Sequence, residues 1–95
     1  MTIGVAVIGA GMAGRAHAAA YRAATSLYDS NLPPVKLISI GDVMPQFGQA
    51  AADRFGYERS DADWRRIADD PNIHAVSVVV ANHLHREIVE GLLAA

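Results

Sequence analysis

Three glycines follow the apolar run Ile3 to Ile8 at the spacing Gly-x-Gly-x-x-Gly, within the segment Gly9 to Gly14. In a turn that leads from a strand into a helix, each glycine has its own physical reason. Gly9 permits the tight turn, Gly11 keeps side-chain atoms away from a pyrophosphate, and Gly14 lets the helix pack closely on the strand. The spacing therefore predicts a site for the phosphates of a dinucleotide.

The residues after this turn narrow the choice of nucleotide. Met12 and Ala13 open the predicted helix, whose first N–H groups have no acceptor within the helix and favour negative charge. No Lys-Ser or Lys-Thr pair follows Gly14, which excludes a mononucleotide P-loop. We therefore count Met12 and Ala13 with the three glycines as cofactor-binding residues.

Asp42 follows a second apolar run and is the candidate for binding a ribose. A carboxylate at this place accepts hydrogen bonds from the ribose hydroxyls of NAD and repels the 2′-phosphate of NADP. The interval from Gly14 is 42 − 14 = 28 residues, longer than the usual interval of about 20. No arginine lies adjacent in sequence, so NAD is predicted over NADP. The alternative is an ordinary turn aspartate after Gly41.

Asn82, His83 and His85 follow the β-branched run Ala75 to Val80. Ligands of open α/β sheets bind outside the carboxyl ends of the strands, so this cluster is expected to share a crevice with the glycine turn. Asn82 contacts the cofactor or caps the following helix. His85 lines the cofactor or substrate pocket or faces solvent. Without cysteine or a third nearby ligand, no metal site is predicted.

Other residues that could do chemistry have plainer explanations. His17 is either a partly buried helix residue or a pocket residue, and His74 is assigned no role. Trp64 is expected in the core, at helical spacing from Ile67. No nucleophile, Ser-His-Asp set or pair of carboxylates suited to catalysis is evident, so no catalytic residue is assigned within this chain.

Alternating strands and helices position these residues. The fold class is predicted as α/β, a Rossmann-type parallel sheet with flanking helices, of which this chain forms the N-terminal part. Ser60 to Asp63 is interpreted as a capping box. The predicted strands are Ile3 to Ile8, Val35 to Ile40, a short edge strand Tyr57 to Arg59, and a central strand Ala75 to Val80. The predicted helices are Met12 to about Ala24, Pro45 to Phe55, a short one through Trp64 and Ala68, and Leu84 to Ala95.

Composition excludes several classes of protein. The 95 residues are 52% hydrophobic with a net charge of −2, which fits a globular domain and gives no basic surface for nucleic acid. No apolar run approaches the about 20 residues of a membrane span, and no basic region precedes the first apolar stretch. Together with the absence of cysteine, this predicts a cytoplasmic protein without membrane partners.

Four segments in order resemble the glucose–fructose oxidoreductase / inositol dehydrogenase (Gfo/Idh/MocA) family. They are Val7 to His17, Asp42 to Pro45, Asp69 to Val76, and Ala81 to His85. The resemblance covers nearly the whole chain, and the Asn-His-Leu-His segment is more specific than the glycine motif. It implies an NAD(P)-dependent oxidoreductase that acts on a sugar, cyclitol or related polyol and commonly forms homo-oligomers.

The resemblance also implies roles for single residues. The glycines would hold the pyrophosphate, Asp42 the adenosine ribose, and Asn82 and His85 would lie on the nicotinamide side. The chain departs from the family at Ala81, where proline is usual, and at Gly41, where a small apolar residue is commoner. The family's Glu-Lys-Pro segment with the catalytic lysine, and the histidine and aspartate of its second domain, are not in this sequence.

We therefore expect residues 1–95 to be the N-terminal part of an NAD(P)-binding domain, without turnover by themselves. The last predicted helix carries no Gly or Pro stop signal, so we expect the protein to continue beyond Ala95. The resemblance implies that the continuation includes a substrate domain. A non-catalytic dinucleotide-binding or redox-sensing module is the alternative from another class. A Rossmann-type methyltransferase is a third, because a carboxylate after the second strand also suits the ribose of another nucleoside.

Overall fold

The computed structural model describes residues 2–23, 34–80 and 82–95, without the side chains of Asn82 and His83. In these described residues, four strands alternate with four helices, as the sequence predicts. The strands are β1 (Ile3–Ile8), β2 (Val35–Gly41), β3 (Arg59–Asp61) and β4 (Ala75–Val78). The helices are α1 (Met12–Ala23), α2 (Pro45–Phe55), α3 (Trp64–Ala68) and α4 (Asn82–Ala94).

The four strands form one parallel sheet in the order β3-β2-β1-β4. The chain moves outward from β1 through β2 to β3 and then crosses back to the other side of β1. This reversal places a topological switch point between β1 and β4, where open α/β sheets bind their ligands. The predicted Rossmann-type class is confirmed.

Helices cover both faces of the sheet, which explains the unbroken apolar sequence of β1. Val5 and Val7 pack on the face that contacts α1 and α2, whereas Ala6 and Ile8 pack on the face that contacts α3 and α4. All four of these residues are buried. A strand buried on both faces has no reason to alternate apolar with polar residues.

The pairing of β1 with β2 is interrupted by one extra residue. Val5 pairs with Leu37 but Ala6 pairs with Ser39, so Ile38 has no partner in the ladder. A Cβ atom on Gly4 would overlap the carbonyl oxygen of Asn72 first and then collide with Cδ1 of Ile38. Gly4 therefore leaves space both for the backbone at Asn72 and for this bulged side chain.

The edge strand β3 lies at Arg59–Asp61 and not at Tyr57 to Arg59, so this prediction is wrong by two residues. Gly56, with a φ of 79°, ends α2 in the left-handed conformation, and Tyr57 turns into the core directly after it. The predicted capping box is also wrong, because Ser60 belongs to β3. Asp63 is itself the N-cap of α3 and accepts the Arg65 N–H at 3.0 Å.

Polar side chains hold β3 against the sheet. The buried Asp61 carboxylate accepts the Ser39 hydroxyl at 2.7 Å and Arg59 Nε at 2.8 Å. A second nitrogen of Arg59, Nη1, lies 2.8 Å from Asp70 Oδ2. The hydrogen bond to Asp61, opposed by desolvation and reinforced by Asp70, raises the pKa of Arg59, so the cation persists at any ordinary pH.

The last strand and the last helix differ from their predicted bounds, and α4 begins at Asn82 and not at Leu84. β4 ends at Val78, two residues early, and lies at the edge of the four-stranded sheet within the described part of the chain. The prediction of a central strand is wrong for this sheet, because β1 is the only strand that pairs with β4 among the described residues. In residues 2–23, 34–80 and 82–95, no helix is long and apolar enough to cross a membrane.

Candidate functional site

A cleft of about 510 Å³ lies at the carboxyl ends of β1, β2 and β4, a volume typical of small-molecule sites. One wall is formed by the glycine turn and the end of β2, and the other by the start of α3 and the first turns of α4. Its lining residues are Ile8, Gly9, Ala10, Gly11, Gly41, Asp42, Val43, Ala62, Asp63, Trp64, Arg65, Val79, Val80, Leu84, Glu87 and Ile88.

Two of the three motif glycines are required by the geometry of the turn. Gly9 has a φ of 111°, which side chains rarely adopt, and a Cβ atom there would overlap the carbonyl of Val79. A Cβ atom on Gly14 would overlap the carbonyl oxygen of Gly9. Gly9 thus allows the turn to pass close to the backbone of Val79 after β4, and Gly14 allows the first turn of α1 to pack against the Gly9 carbonyl.

Gly11 differs, because a Cβ atom there would meet nothing within 4 Å. The protein itself does not need glycine at this position, which lines the cleft and is exposed. Arg15 donates its N–H to the Gly11 carbonyl at 3.0 Å, so the amides of Met12 and Ala13 precede the first hydrogen bond of α1. The open position and these amides fit an anionic group bound above the turn.

The Asp42 carboxylate connects the glycine turn to the loop after β2. Its Oδ2 accepts the Ala10 N–H at 2.9 Å and its Oδ1 accepts the Met44 N–H at 2.8 Å. The bond to Met44 is that of an ordinary turn aspartate. Asp42 nevertheless lines the cleft, and each oxygen keeps further acceptor capacity for a hydroxyl group. The two alternatives for Asp42 are therefore compatible.

The wall opposite the glycine turn contains residues that sequence reasoning did not assign to the site. The Arg65 guanidinium lies 4.8 Å from the centre of the Trp64 ring and 3.4 Å from Glu87 Oε1. The Arg65 N–H, helped by its guanidinium, holds the pKa of Asp63 below its usual value. Trp64 packs on the core as predicted and also lines the cleft. No sequence signal ties Glu87 to Arg65, because the pair joins two helices.

Three histidines with described side chains, His17, His74 and His85, lie outside the lining of the cleft. His85 is exposed on α4 and is not among the residues that line the cleft. Asn82 is the first residue of α4, but its side chain lies outside the described part, so the cap and the cofactor contact both stay predictions. His17 is exposed, with Nδ1 3.1 Å from Ser77 Oγ. His74 accepts the Gly4 N–H at 2.9 Å through Nδ1, which gives it a structural role.

Comparison with known proteins identifies the family. Residues 3–95 match the Gfo/Idh/MocA oxidoreductase family with an NAD-binding Rossmann fold. The chain belongs to this family. The predicted resemblance and the cofactor class, NAD, are thereby confirmed.

Relatives with known activities agree with this assignment. Levoglucosan dehydrogenase of Pseudarthrobacter phenanthrenivorans is 42% identical over 87 residues, which cover 90% of this chain and 22% of the relative. A structure of levoglucosan dehydrogenase with NADH and L-sorbose superposes with a TM-score of 0.91 at 37% identity and covers 99% of this chain. A myo-inositol dehydrogenase from Lactobacillus casei, with NAD(H) and myo-inositol, has a TM-score of 0.82 at 28% identity over 100% of this chain.

This family member spans only part of its relatives' length. It covers 25% of the levoglucosan dehydrogenase chain and 26% of the myo-inositol dehydrogenase chain. The similarity therefore concerns about one quarter of each relative's chain.

Proposed function

We propose that this chain is the cofactor-binding part of an NAD-dependent dehydrogenase that oxidises a sugar, cyclitol or related polyol. The observation that carries the proposal is the cleft itself, in which the open position at Gly11 and the Asp42 carboxylate lie at the carboxyl ends of adjacent strands. Relatives whose names include levoglucosan and inositol support the substrate class.

The residues of the cleft would bind and orient the dinucleotide. The first amides of α1, at Met12 and Ala13, would donate hydrogen bonds to the pyrophosphate above Gly11. Asp42, already oriented by Ala10 and Met44, would accept hydrogen bonds from the adenosine ribose. The family resemblance would place Asn82 and His85 on the nicotinamide side, although His85 is not among the described residues that line the cleft. The cofactor, when bound, accepts a hydride from the substrate carbon.

Proton transfer is not assigned to any residue of this chain. The family resemblance expects that task of a lysine, with a histidine and an aspartate, in sequence that these 95 residues do not contain. We therefore propose that residues 1–95 are the N-terminal part of the cofactor domain and do not turn over polyols without those groups. Measured polyol oxidation by the 95-residue chain would contradict this proposal.

Calorimetric titration with NADH and NADPH tests the binding role. NADH should bind and NADPH should bind more weakly, whereas tighter binding of NADPH would contradict the role given to Asp42. Gly11→Ala should lose most NADH affinity because the added methyl group lies where the pyrophosphate must approach. Its unfolding free energy without nucleotide is the control and should rise by less than about 1 kcal/mol, because alanine at an unstrained glycine position lowers the conformational entropy of the unfolded chain.

A further inference from the structure

The wall of the cleft formed by α3 and α4 carries the charges that a nucleotide would meet beyond Asp42. Among the described residues that line the cleft, Arg65 is the only basic one, whereas Asp42, Asp63 and Glu87 are acidic. The arginine is distant from Asp42 in sequence, and the fold brings both into one cleft. The sequence-based reason for preferring NAD, that no arginine lies adjacent, therefore does not hold in space.

An arginine in such a cleft has a direct bearing on the choice of nucleotide. Beside the adenosine ribose, a guanidinium accommodates the 2′-phosphate that distinguishes NADP from NAD. Arg65, on the same cleft as the ribose-binding candidate Asp42, would by itself favour NADP. The prediction of NAD thus requires neighbouring groups that keep the Arg65 guanidinium from binding a 2′-phosphate.

The structure shows what restrains it. Arg65 Nη2 lies 3.4 Å from Glu87 Oε1, across the gap between α3 and α4, and Nη1 lies 3.3 Å from Asp63 Oδ1. The guanidinium also lies over the Trp64 ring at 4.8 Å. Two carboxylates offset its charge, with one contact at each terminal nitrogen, and the group is held beside the Trp64 ring.

We propose that Glu87 is a positioning residue for cofactor choice, which acts through Arg65 to disfavour NADP. The inference rests on the proposed function, because it concerns the same cleft. Glu87, on α4, contacts Nη2 of Arg65, whereas Asp63 contacts Nη1, so the loss of Glu87 frees Nη2 for another anion. A 2′-phosphate is the anion that NADP brings and NAD lacks.

The test is the ratio of the dissociation constants of NADPH and NADH, measured for the full chain at low ionic strength. Glu87→Gln keeps the shape of the side chain and removes its charge. Because both partners are about 60% exposed, the expected effect is modest, a fall in the ratio of about two- to fivefold. NADH affinity itself should change less than NADPH affinity.

Glu90→Gln is the matched control. Glu90 lies on the same helix, is similarly exposed, and pairs with Arg86 at 2.9 Å without lining the cleft. It removes the same unit of charge, so it should leave the ratio unchanged if the effect of Glu87 is local. Equal shifts in the two variants would overturn the proposal in favour of a general charge effect.

A double-mutant cycle with Arg65→Gln tests whether Glu87 acts through the arginine. When Arg65 is absent, Glu87→Gln should no longer lower the ratio. Additive effects would mean that Glu87 repels the phosphate directly, which would overturn the proposed route. Failure of the wild-type chain to bind either nucleotide would instead refute the proposed function, whereas normal NADH binding with an unchanged ratio in Glu87→Gln would refute only this inference.

Discussion

Replacing Tyr57 by phenylalanine should stabilise the protein, and the gain should grow at alkaline pH. The Tyr57 side chain enters the core after Gly56 and is 7% exposed. Within the described residues its hydroxyl is buried and has no hydrogen-bond partner. A buried polar group without a partner costs about 1–3 kcal/mol, so removing the hydroxyl should add about 1 kcal/mol to the unfolding free energy at neutral pH.

The alkaline part of the prediction follows from the pKa of the same group. Burial, with a smaller contribution from the nearby Tyr21, raises the pKa of Tyr57 from 10.0 to about 12. The folded protein holds this proton more tightly than the unfolded chain, so the stability linked to it is complete below pH 10 and is lost as the pH rises toward 12. The loss should be about 1.4 kcal/mol at pH 11 and should approach about 2.7 kcal/mol above pH 12.

Urea denaturation between pH 8 and 11 measures both effects. Tyr21→Phe is the matched control, because the Tyr21 hydroxyl does have a partner, Ser77 Oγ at 2.7 Å. The control should lose about 1 kcal/mol at neutral pH. If Tyr57→Phe loses as much as the control, or declines with pH as steeply as the wild type, the reasoning about the unpaired hydroxyl is refuted.

Three further substitutions test other contacts by their effect on stability. Gly14→Ala should cost about 1–3 kcal/mol in thermal denaturation, because the new methyl group must displace the Gly9 carbonyl. Arg59→Gln should cost about 1–3 kcal/mol in urea, because it leaves the buried Asp61 carboxylate without its cation. Asp70→Asn should reduce the fall in unfolding free energy at acidic pH. The backbone N–H of Asn72 and the Arg59 side chain lower the pKa of Asp70, so in the wild type the stabilisation from this carboxylate is lost as the pH falls through the lowered pKa.

Exposed neighbours provide the controls for these variants. Lys36→Gln removes the cation of a pair with Glu58 at 3.0 Å, half exposed on both sides, and should cost less than about 1 kcal/mol. Asp69→Asn, beside Asp70 but exposed, should change the unfolding free energy at neutral pH by less than about 0.5 kcal/mol. If these controls lose as much unfolding free energy as Arg59→Gln or Asp70→Asn, the polar network at β3 stabilises the protein no more than exposed charges do.

The regular elements were predictable because their sequences are unambiguous. The apolar run of β1, and the helix from Pro45 to Phe55 with Gly56 after it, each combine composition with clear end signals, and the structure has both as predicted. The glycine turn was predictable for the same reason, since the spacing itself encodes a close approach between chain segments.

What the sequence did not reveal depends on contacts between distant segments. β3 consists of polar residues, and its parallel pairing with β2, together with the side-chain bonds of Asp61 to Ser39 and Arg59, places them in the sheet. Arg65 joins the cleft because α3 and α4 pack on the same face. Neither arrangement leaves a periodic pattern, so neither can be found from spacing along the chain.

The extra residue at Ile38 sets the phase of everything that follows it in β2. Leu37 and Ile40 are three residues apart, an odd number, yet both pack in the same core cluster. Strict alternation would turn Ile40 toward the opposite layer. By staying outside the ladder, Ile38 keeps Ser39 and Ile40 in phase with Ala6 and Val7, and the strand end then carries Asp42 to the Ala10 amide. If Ile38 instead joined the ladder, the strand end would turn by half a turn and carry Asp42 away from that amide. One unpaired residue in the sheet interior thus decides whether this carboxylate faces the cleft.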